Sequence, residues 1–465
     1  MLSWGQTCTG SFGEPVVNIT FSSGVHPGPS PATNYTYTTN SCPPDGSYTI
    51  INSTPGCFGN NWHTITEDHT PGDNMGYMML VNASYSPGEF YKQTINDLCP
   101  STTYEFAAYV VNVLQPRAAG IKPNLTFIIE SVRGDVLGTY STGDIIESNA
   151  PEWKKYGMVF TTTASISDVV LKIINNAPGG YGNDLALDDI TFRACGPTIR
   201  ANVNGSQTGV SICERQNSTV SLNAEVSPGY DNPAYQWQVS NNNTDWQDIP
   251  GANSKSAEVL ISSASASRYQ YRLAVAEAFN INSVKCRVLS NSIPVTLIPK
   301  PVADAGPDKS TMQAKPVQLE GKATGSNLSF LWTPASYLDD PTKLNPITTP
   351  RDDITYTLQV TDECNNTVSD DVFVKVYMEI IIPNTFTPNG DGVNDLWNIA
   401  GLKSYPEARM KIFNRYGAII FTSEGYNKPW DGQFNGKIVS TGIYYYVIDL
   451  NYNDQLFSGV VMIIK

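Results

Sequence analysis

A chain of 465 residues with a formal net charge of −14 is too long for one hydrophobic core and offers no basic field to a phosphate backbone, which points to several modules and excludes nucleic-acid binding. Only 15% of the side chains are charged, whereas 36 glycines, 31 prolines and 25 tyrosines favour short strands and turns over long amphipathic helices. No apolar run approaches the ~20 residues of a membrane-spanning helix, so the expected class is an all-β protein of four tandem β-sandwich modules.

The opening Met1-Leu2-Ser3-Trp4-Gly5-Gln6 reads as the tail of a signal peptide, residues 1–6, with an ordinary start methionine as the alternative. Eight cysteines in turn-rich surroundings, without a Cys-x-x-Cys pair, argue for disulfides in an oxidising compartment rather than for zinc or redox chemistry. Export from the cell is the simpler account.

Residues 7–198 hold strand-like runs between Gly/Pro/Asn turns, among them Gly76–Val81, Tyr104–Val111, Leu125–Ile129, Gly157–Phe160 and Val169–Ile173. That spacing suits a two-sheet antiparallel sandwich. The order of an opening Gly10-Ser11-Phe12-Gly13-Glu14, a middle Gly-Tyr-Met strand and a closing Asn183–Phe192 resembles a carbohydrate-binding-module or MAM-like jelly roll, a likeness that fixes fold better than ligand. In such jelly rolls the first and last strands are neighbours, so Glu14 is expected to converge with Asp188 and Asp189 on a structural calcium ion. Consecutive aspartates that merely form a solvated turn are the competing reading. A Cys8–Cys195 bridge is expected to close the module. Cys42 and Cys57 bracket a Gly/Pro/Ser-rich excursion where a staple is useful, and Cys57–Cys99 is the competing pair.

Trp62, Tyr77, Trp153 and Tyr181 lie near polar turns with Asn60, Asn61, Asn183 and Asp184. Flat apolar rings beside a few amides and a carboxylate suit a glycan, so Trp62, Trp153, Tyr181, Asn183 and Asp184 are the candidate ligand-binding residues, with a core role as the alternative for each ring. His63 and His69 flank Glu67 and Asp68, but the spacing matches no zinc motif. No Gly-x-Ser-x-Gly elbow, His-Glu-x-x-His helix or phosphate loop occurs.

From residue 199 the pattern resets. Tyr235-Gln236-Trp237-Gln238 and Tyr269-Gln270-Tyr271-Arg272-Leu273 resemble an immunoglobulin-like domain over residues 199–298, with Trp237 as its core tryptophan. Its Cys213 and Cys286 are expected to pair near the sheet edge. The turn Asn241–Asn243 with Trp246 reads as a solvated hairpin. After the Ile298–Pro301 linker, Ala303–Asp308, Phe330–Pro334 and Tyr356–Asp362 resemble a PKD-type sandwich over residues 299–378, in which Cys364 is expected to be a buried or free thiol.

The last stretch, residues 379–465, contains Ile382-Pro383-Asn384-Thr385-Phe386-Thr387-Pro388-Asn389-Gly390-Asp391-Gly392-Val393-Asn394-Asp395-Leu396-Trp397, then Ile412–Gly417, Trp430-Asp431-Gly432 and Gly442–Val447. These motifs, in order, resemble the gliding-motility-associated C-terminal domain of Bacteroidetes proteins, the type B sorting domain of type IX secretion. The resemblance implies recognition by the type IX translocon and association with a PorP/SprF-type outer-membrane β-barrel. Asn389, Asp391, Asn394 and Asp395 crowd oxygen donors around two glycines, partly like a calcium loop, with an Asx/Gly turn as the equal alternative. Asn389, Asp391, Asp395 and Tyr445 are the candidate partner contacts.

The expected protein is therefore a non-enzymatic, adhesin-like protein, secreted or held at the outer-membrane surface, with structural calcium, an extracellular glycan as head ligand and no catalytic residues. A glycan-active hydrolase and a structural stalk component are the alternatives.

Overall fold

The computed structural model describes residues 7–24, 26–214, 218–261 and 268–464; the expected signal-peptide remnant, residues 1–6, lies outside them. Strands are the dominant regular element, with only a few short helical turns among the described residues, and the chain forms two compact units, Met1–Leu297 and Ile298–Lys465. No helix among the described residues is long and apolar enough to cross a membrane.

The first unit opens with a two-sheet sandwich. The larger sheet runs in the order Lys154–Thr161, Thr103–Asn112, Leu185–Gly196, Met78–Asn82, Ser47–Ile51, Thr36–Tyr37, with Ser11–Ile19 also paired to Leu185–Gly196. The facing sheet is Val136–Asp144, Asn124–Ser131, Val169–Asn175, Glu89–Ile95. Strand Val169–Asn175 alternates buried and half-buried residues, as a sheet with one covered face requires. Met78–Asn82 does not alternate, since all five residues are buried. Met79 and Val81 face the inter-sheet core, whereas Met78 and Leu80 join Cys57, Trp62, Ile65, Val111, Val113 and Ala186 in a second cluster on the outer face. The excursion between Ile51 and Met78 supplies that outer cover. It is fixed by the Cys42–Cys57 disulfide, by the Thr54 N–H donating to Ile65 O at 2.8 Å and by the His63 N–H donating to Val113 O at 2.7 Å. His63 is thereby a structural residue: its Nε2 lies 3.0 Å from Ser148 O, and burial holds its imidazole below the usual range.

A second sandwich follows within the same unit, with one sheet of Ile199–Val203, Ser218–Val226 and Ser256–Ile261 and another centred on Arg268–Glu277 between Ile293–Ile298 and Pro233–Ser240. Trp237 is fully buried, and its indole N–H donates to Ser254 O at 3.0 Å. Trp246 lies under the Arg272 guanidinium at 3.9 Å rather than in a purely solvated hairpin. The two sandwiches share one core cluster running from Val17 to Leu297.

The cysteines pair partly as the sequence suggests. Cys8–Cys195 and Cys42–Cys57 are bridged. Cys286, however, bonds Cys99 rather than Cys213, because the turn Val284–Cys286 is brought against the first sandwich. There the Cα atoms of Cys99 and Cys286 stand 5.7 Å apart, within disulfide reach. The same bond excludes Cys57–Cys99. No cysteine among the described residues is free, so Cys364 is not an unpaired thiol.

In the second unit, Thr367–Tyr377 pairs in parallel with Lys309–Met312 and antiparallel with Ile354–Thr361, which pairs in turn with Ser329–Thr333. Trp332 and Tyr356 fill that core. The last sheet has the order Thr385–Phe386, Leu456–Ile463, Gly442–Asp449, Arg409–Phe413, Ile419–Glu424. Trp397 and Trp430 are buried beneath it, and the Trp397 N–H donates to Trp430 O at 2.8 Å.

Candidate functional site

The start of Leu185–Gly196, the end of Met78–Asn82, the turn Cys57–Asn60 and the loop before Asn183 meet at one rim of the first sandwich. They enclose a cleft of about 280 Å3 lined by Asp45, Phe58, Asn61, Trp62, Asn82, Tyr85, Tyr181 and Asp184. Tyr85, Tyr181 and Phe58 are 70%, 54% and 49% exposed, whereas Trp62 is 2% exposed. Large rings left this open around one concavity are unusual unless something covers them.

Asp184 is the polar centre of the cleft. Its Oδ1 accepts the Ala83 N–H at 3.0 Å, and the Trp62 side chain also hydrogen-bonds to it. Burial, opposed by these donors and reinforced by the nearby Asp45 carboxylate, pushes its carboxyl up to about 7. Trp62 is thus the floor of the cleft and a donor to Asp184, not a free stacking surface. Phe58 adopts φ +51°, a left-handed backbone that a bulky side chain rarely takes. It sits directly after the stapled Cys57, with its ring 4.8 Å from that of Trp62.

Three of the candidate ligand residues, Trp62, Tyr181 and Asp184, come together here. Asn183 is buried behind them, and its amide N–H2 points to Ala177 O and Pro178 O, both at 3.4 Å, so it shapes the loop that carries Tyr181. Trp153 is not in the cleft. It packs on the outer-face cluster, with its ring 6.2 Å from that of His69. Phe58, Tyr85 and Asp45 escape a reading by strand pattern, since they lie in turns; the signal for Phe58 is its place beside Cys57, and for Tyr85 the turn Ser84-Tyr85-Ser86-Pro87-Gly88.

The expected calcium site of Glu14, Asp188 and Asp189 does not form. Pro15 pairs with Arg193 and Ile19 with Ile190, which leaves Glu14 roughly 15 Å along the strand from Asp189 at ~3.4 Å per residue. Glu14 instead bonds Arg272 at 2.6 Å. Asp188 is fully buried and accepts the N–H groups of His69 and Asp189, each at 2.8 Å. Asp189 Oδ2 lies 2.7 Å from His69 Nδ1. Burial and the Asp189 charge push the Asp188 carboxyl up to about 8. Among the described residues no group of three His, Cys, Asp or Glu side chains is arranged to hold a metal ion.

The Asn389–Asp395 loop is held by its own backbone amides. Asp395 accepts the N–H groups of Asn389, Gly390 and Gly392 at 3.0, 2.6 and 2.7 Å, and those of Gly390 and Gly392 hold its carboxyl below the usual range. Asp391 Oδ1 accepts the Val393 N–H at 2.8 Å, and Asn394 stands at φ +53°. These bonds from the loop's own backbone amides are those of an Asx/Gly turn. Of the three consecutive tyrosines, Tyr444 is buried in the core, Tyr446 packs half-buried against it, and Tyr445 is exposed.

No curated protein matches the chain. Among solved structures, the enzymatically active domain of bacteriophage CBA120 tailspike protein 4 is 12% identical over 32% of this chain, with a TM-score of 0.22; the chain spans only 18% of it. The CBM22-1 xylan-binding domain of Paenibacillus barcinonensis Xyn10C is 13% identical over 40% of this chain and 97% of that domain, with a TM-score of 0.25. Fibronectin(III)-like modules of Clostridium thermocellum CbhA are 13% identical over 38% and 94%, with a TM-score of 0.18. Likenesses at this level carry no weight for the fold or the ligand. Residues 201–299 match a domain of unknown function, DUF8696. Residues 380–463, which form the Trp397–Trp430 sandwich and its Asx/Gly turn, match the CHU_C type IX secretion signal domain, and the chain therefore carries the signal for export from the cell by that route.

Proposed function

We propose that the chain is a non-enzymatic, adhesin-like protein of the cell surface. Its C-terminal signal is read by the type IX translocon, a PorP/SprF-type outer-membrane barrel retains it, and the first sandwich binds an extracellular glycan. The supporting observation is the convergence of exposed Tyr85, Tyr181 and Phe58 on a cleft that Asp184, Asn61 and Asn82 also line. Sugar rings present apolar faces that stack on such aromatics and hydroxyls that bond to such amides and carboxyls. Binding of the exported chain to a glycan array, lost in Tyr181→Ala, is the expected result; an array signal indifferent to Tyr181 and Tyr85 would refute the assignment.

One observation favours a second reading. Asp45 and Asp184 share the cleft, and burial pushes the Asp184 carboxyl up to about 7, as the general acid of a hydrolytic carboxyl pair requires. Turnover of a bound glycan, abolished in Asp184→Asn, would make the first sandwich a glycan hydrolase; binding without turnover supports the adhesin.

A further inference from the structure

We propose that strand Leu456–Ile463 is an open docking edge, which an extended, uncharged segment of a different protein completes as an added β-strand. On one side this strand pairs with Gly442–Asp449 over its whole length. On the other, among the described residues, it meets only Thr385–Phe386, opposite Met462 and Ile463. The Met462 N–H donates to Asn384 O at 2.8 Å and the Ile464 N–H to Phe386 O at 3.2 Å. By the period of two, the N–H groups of Leu456, Ser458 and Val460 point to that same side, where no strand lies among the described residues.

Long open edges are normally blunted by charge, proline or a bulge. The far edge of this sheet, Ile419–Glu424, carries Glu424 and a register shift beside Phe413. In the first unit, Lys154–Thr161 begins with two lysines, Glu89–Ile95 holds Glu89 and Lys92, and Ser256–Ile261 holds Glu258. Leu456–Val461 contains neither a charge nor a proline. Its outward side chains apart from Ser458 are apolar and open: Leu456 is 64% and Val460 47% exposed, with Tyr445 opposite Val460 and Ile443 opposite Met462, both also exposed. A row of unpaired backbone groups beside an apolar strip is the surface that strand addition uses. Thr385–Phe386 already occupies the end of this edge in that manner.

Charge selects between the two candidate occupants. Residues 380–465 contain seven basic and seven acidic side chains, so the net −14 resides wholly in the preceding residues. Two copies joined at this edge would bring two strongly acidic passengers together, which self-repulsion opposes. A neutral edge imposes no such penalty on a different, uncharged segment. The proposal rests on the C-terminal sandwich being the part of the chain that export partners read.

The test is photo-crosslinking in the exporting cell, with a photoreactive residue placed in the full chain at Leu456, at Val460 or, as control, at Thr422 on the far edge. The expected result is a discrete adduct from Leu456 and Val460 but not Thr422, whose crosslinked peptide is an uncharged segment of another protein. Val460→Lys, and independently Ser458→Pro, are expected to reduce that adduct at least tenfold. Val460→Lys changes an exposed side chain and should leave the sheet folded. An adduct between two copies of this chain, an equal adduct from Thr422, or none at all overturns the proposal. Surface exposure is scored in the same cells: export without the edge adduct defeats the docking edge alone, whereas failed export of the unsubstituted chain defeats the export reading as well.

Discussion

Cys99 in the first sandwich is covalently joined to Cys286 in the second across 187 residues of sequence. Around this bond the Glu14–Arg272 pair and the Asn280 amide, which donates to Pro100 O at 2.8 Å, hold the two sandwiches as one unit. The second sandwich is therefore part of the head's framework and not an independent spacer. Replacing both cysteines by serine should destabilise the first unit by about 3–5 kcal/mol, the usual scale for a disulfide closing a long loop. Guanidinium unfolding followed by tryptophan fluorescence would measure it, and a loss below about 1 kcal/mol would show that the non-covalent contacts suffice.

Phe58 separates binding from folding. Its positive φ is a conformation that glycine adopts freely, so Phe58→Gly relieves backbone strain of about 1–2 kcal/mol while deleting an exposed ring. Stability should hold within about 1 kcal/mol. Glycan affinity should fall about tenfold, as expected for one lost stacking partner worth about 1 kcal/mol or more. Calorimetric titration and a melting curve on the same preparation check both halves.

The buried carboxyls set a pH dependence. In the folded chain Asp184 and Asp188 titrate at about 7 and about 8, against an ordinary value of ~3.9 when unfolded. Between these values the folded state holds the extra protons. Stability is therefore greatest below about pH 4 for these two groups and declines as pH rises through 7 and 8, with a slope of up to about 1.4 kcal/mol per pH unit for each. Urea midpoints should be higher at pH 5 than at pH 8, and Asp184→Asn should flatten part of the difference.

Asp395 makes the opposite prediction for the C-terminal sandwich. Its lowered pKa means that its contribution is present above its unfolded value and is lost as pH falls through the folded one. Asp395→Ala should speed amide exchange at Gly390 and Gly392 and lower the melting temperature, and added calcium should restore neither. Recovery on adding calcium would reinstate the cation reading of the loop.

Local periodicity made the strands legible. The runs Tyr104–Val111 and Tyr269–Val275 are readable as core strands because burial imposes apolar residues along them, whereas Trp237 and Cys8–Cys195 rest on the resemblance to immunoglobulin-like and jelly-roll modules. What the pattern could not reveal is which strand faces water on both sides or on neither. Met78–Asn82 is apolar throughout because the Cys42–Cys57 excursion covers its second face, a contact made between segments and invisible in either. Glu14 failed as an ion ligand for a related reason. Neighbouring strands bring their residues together only at matched register, and register is a property of the pair. Cys286 was misassigned because its partner lies in the other sandwich, across a boundary that the change in sequence pattern had suggested was empty of contacts. The cleft was half legible: Tyr181 and Asp184 sit near a strand, while Phe58 and Tyr85 sit in turns, where side-chain direction follows the backbone dihedrals.

The excursion that covers the outer face of the larger sheet also supplies Phe58, Asn61 and Trp62 to the cleft. Recognition is thus mounted on an attachment riveted to the framework by Cys42–Cys57, while the inter-sheet core beneath is sealed by other residues. Such a plate can be exchanged, lengthened or resculpted without recutting the interior, so the range of surfaces this head can grip is open to change on a shorter mutational path than its fold.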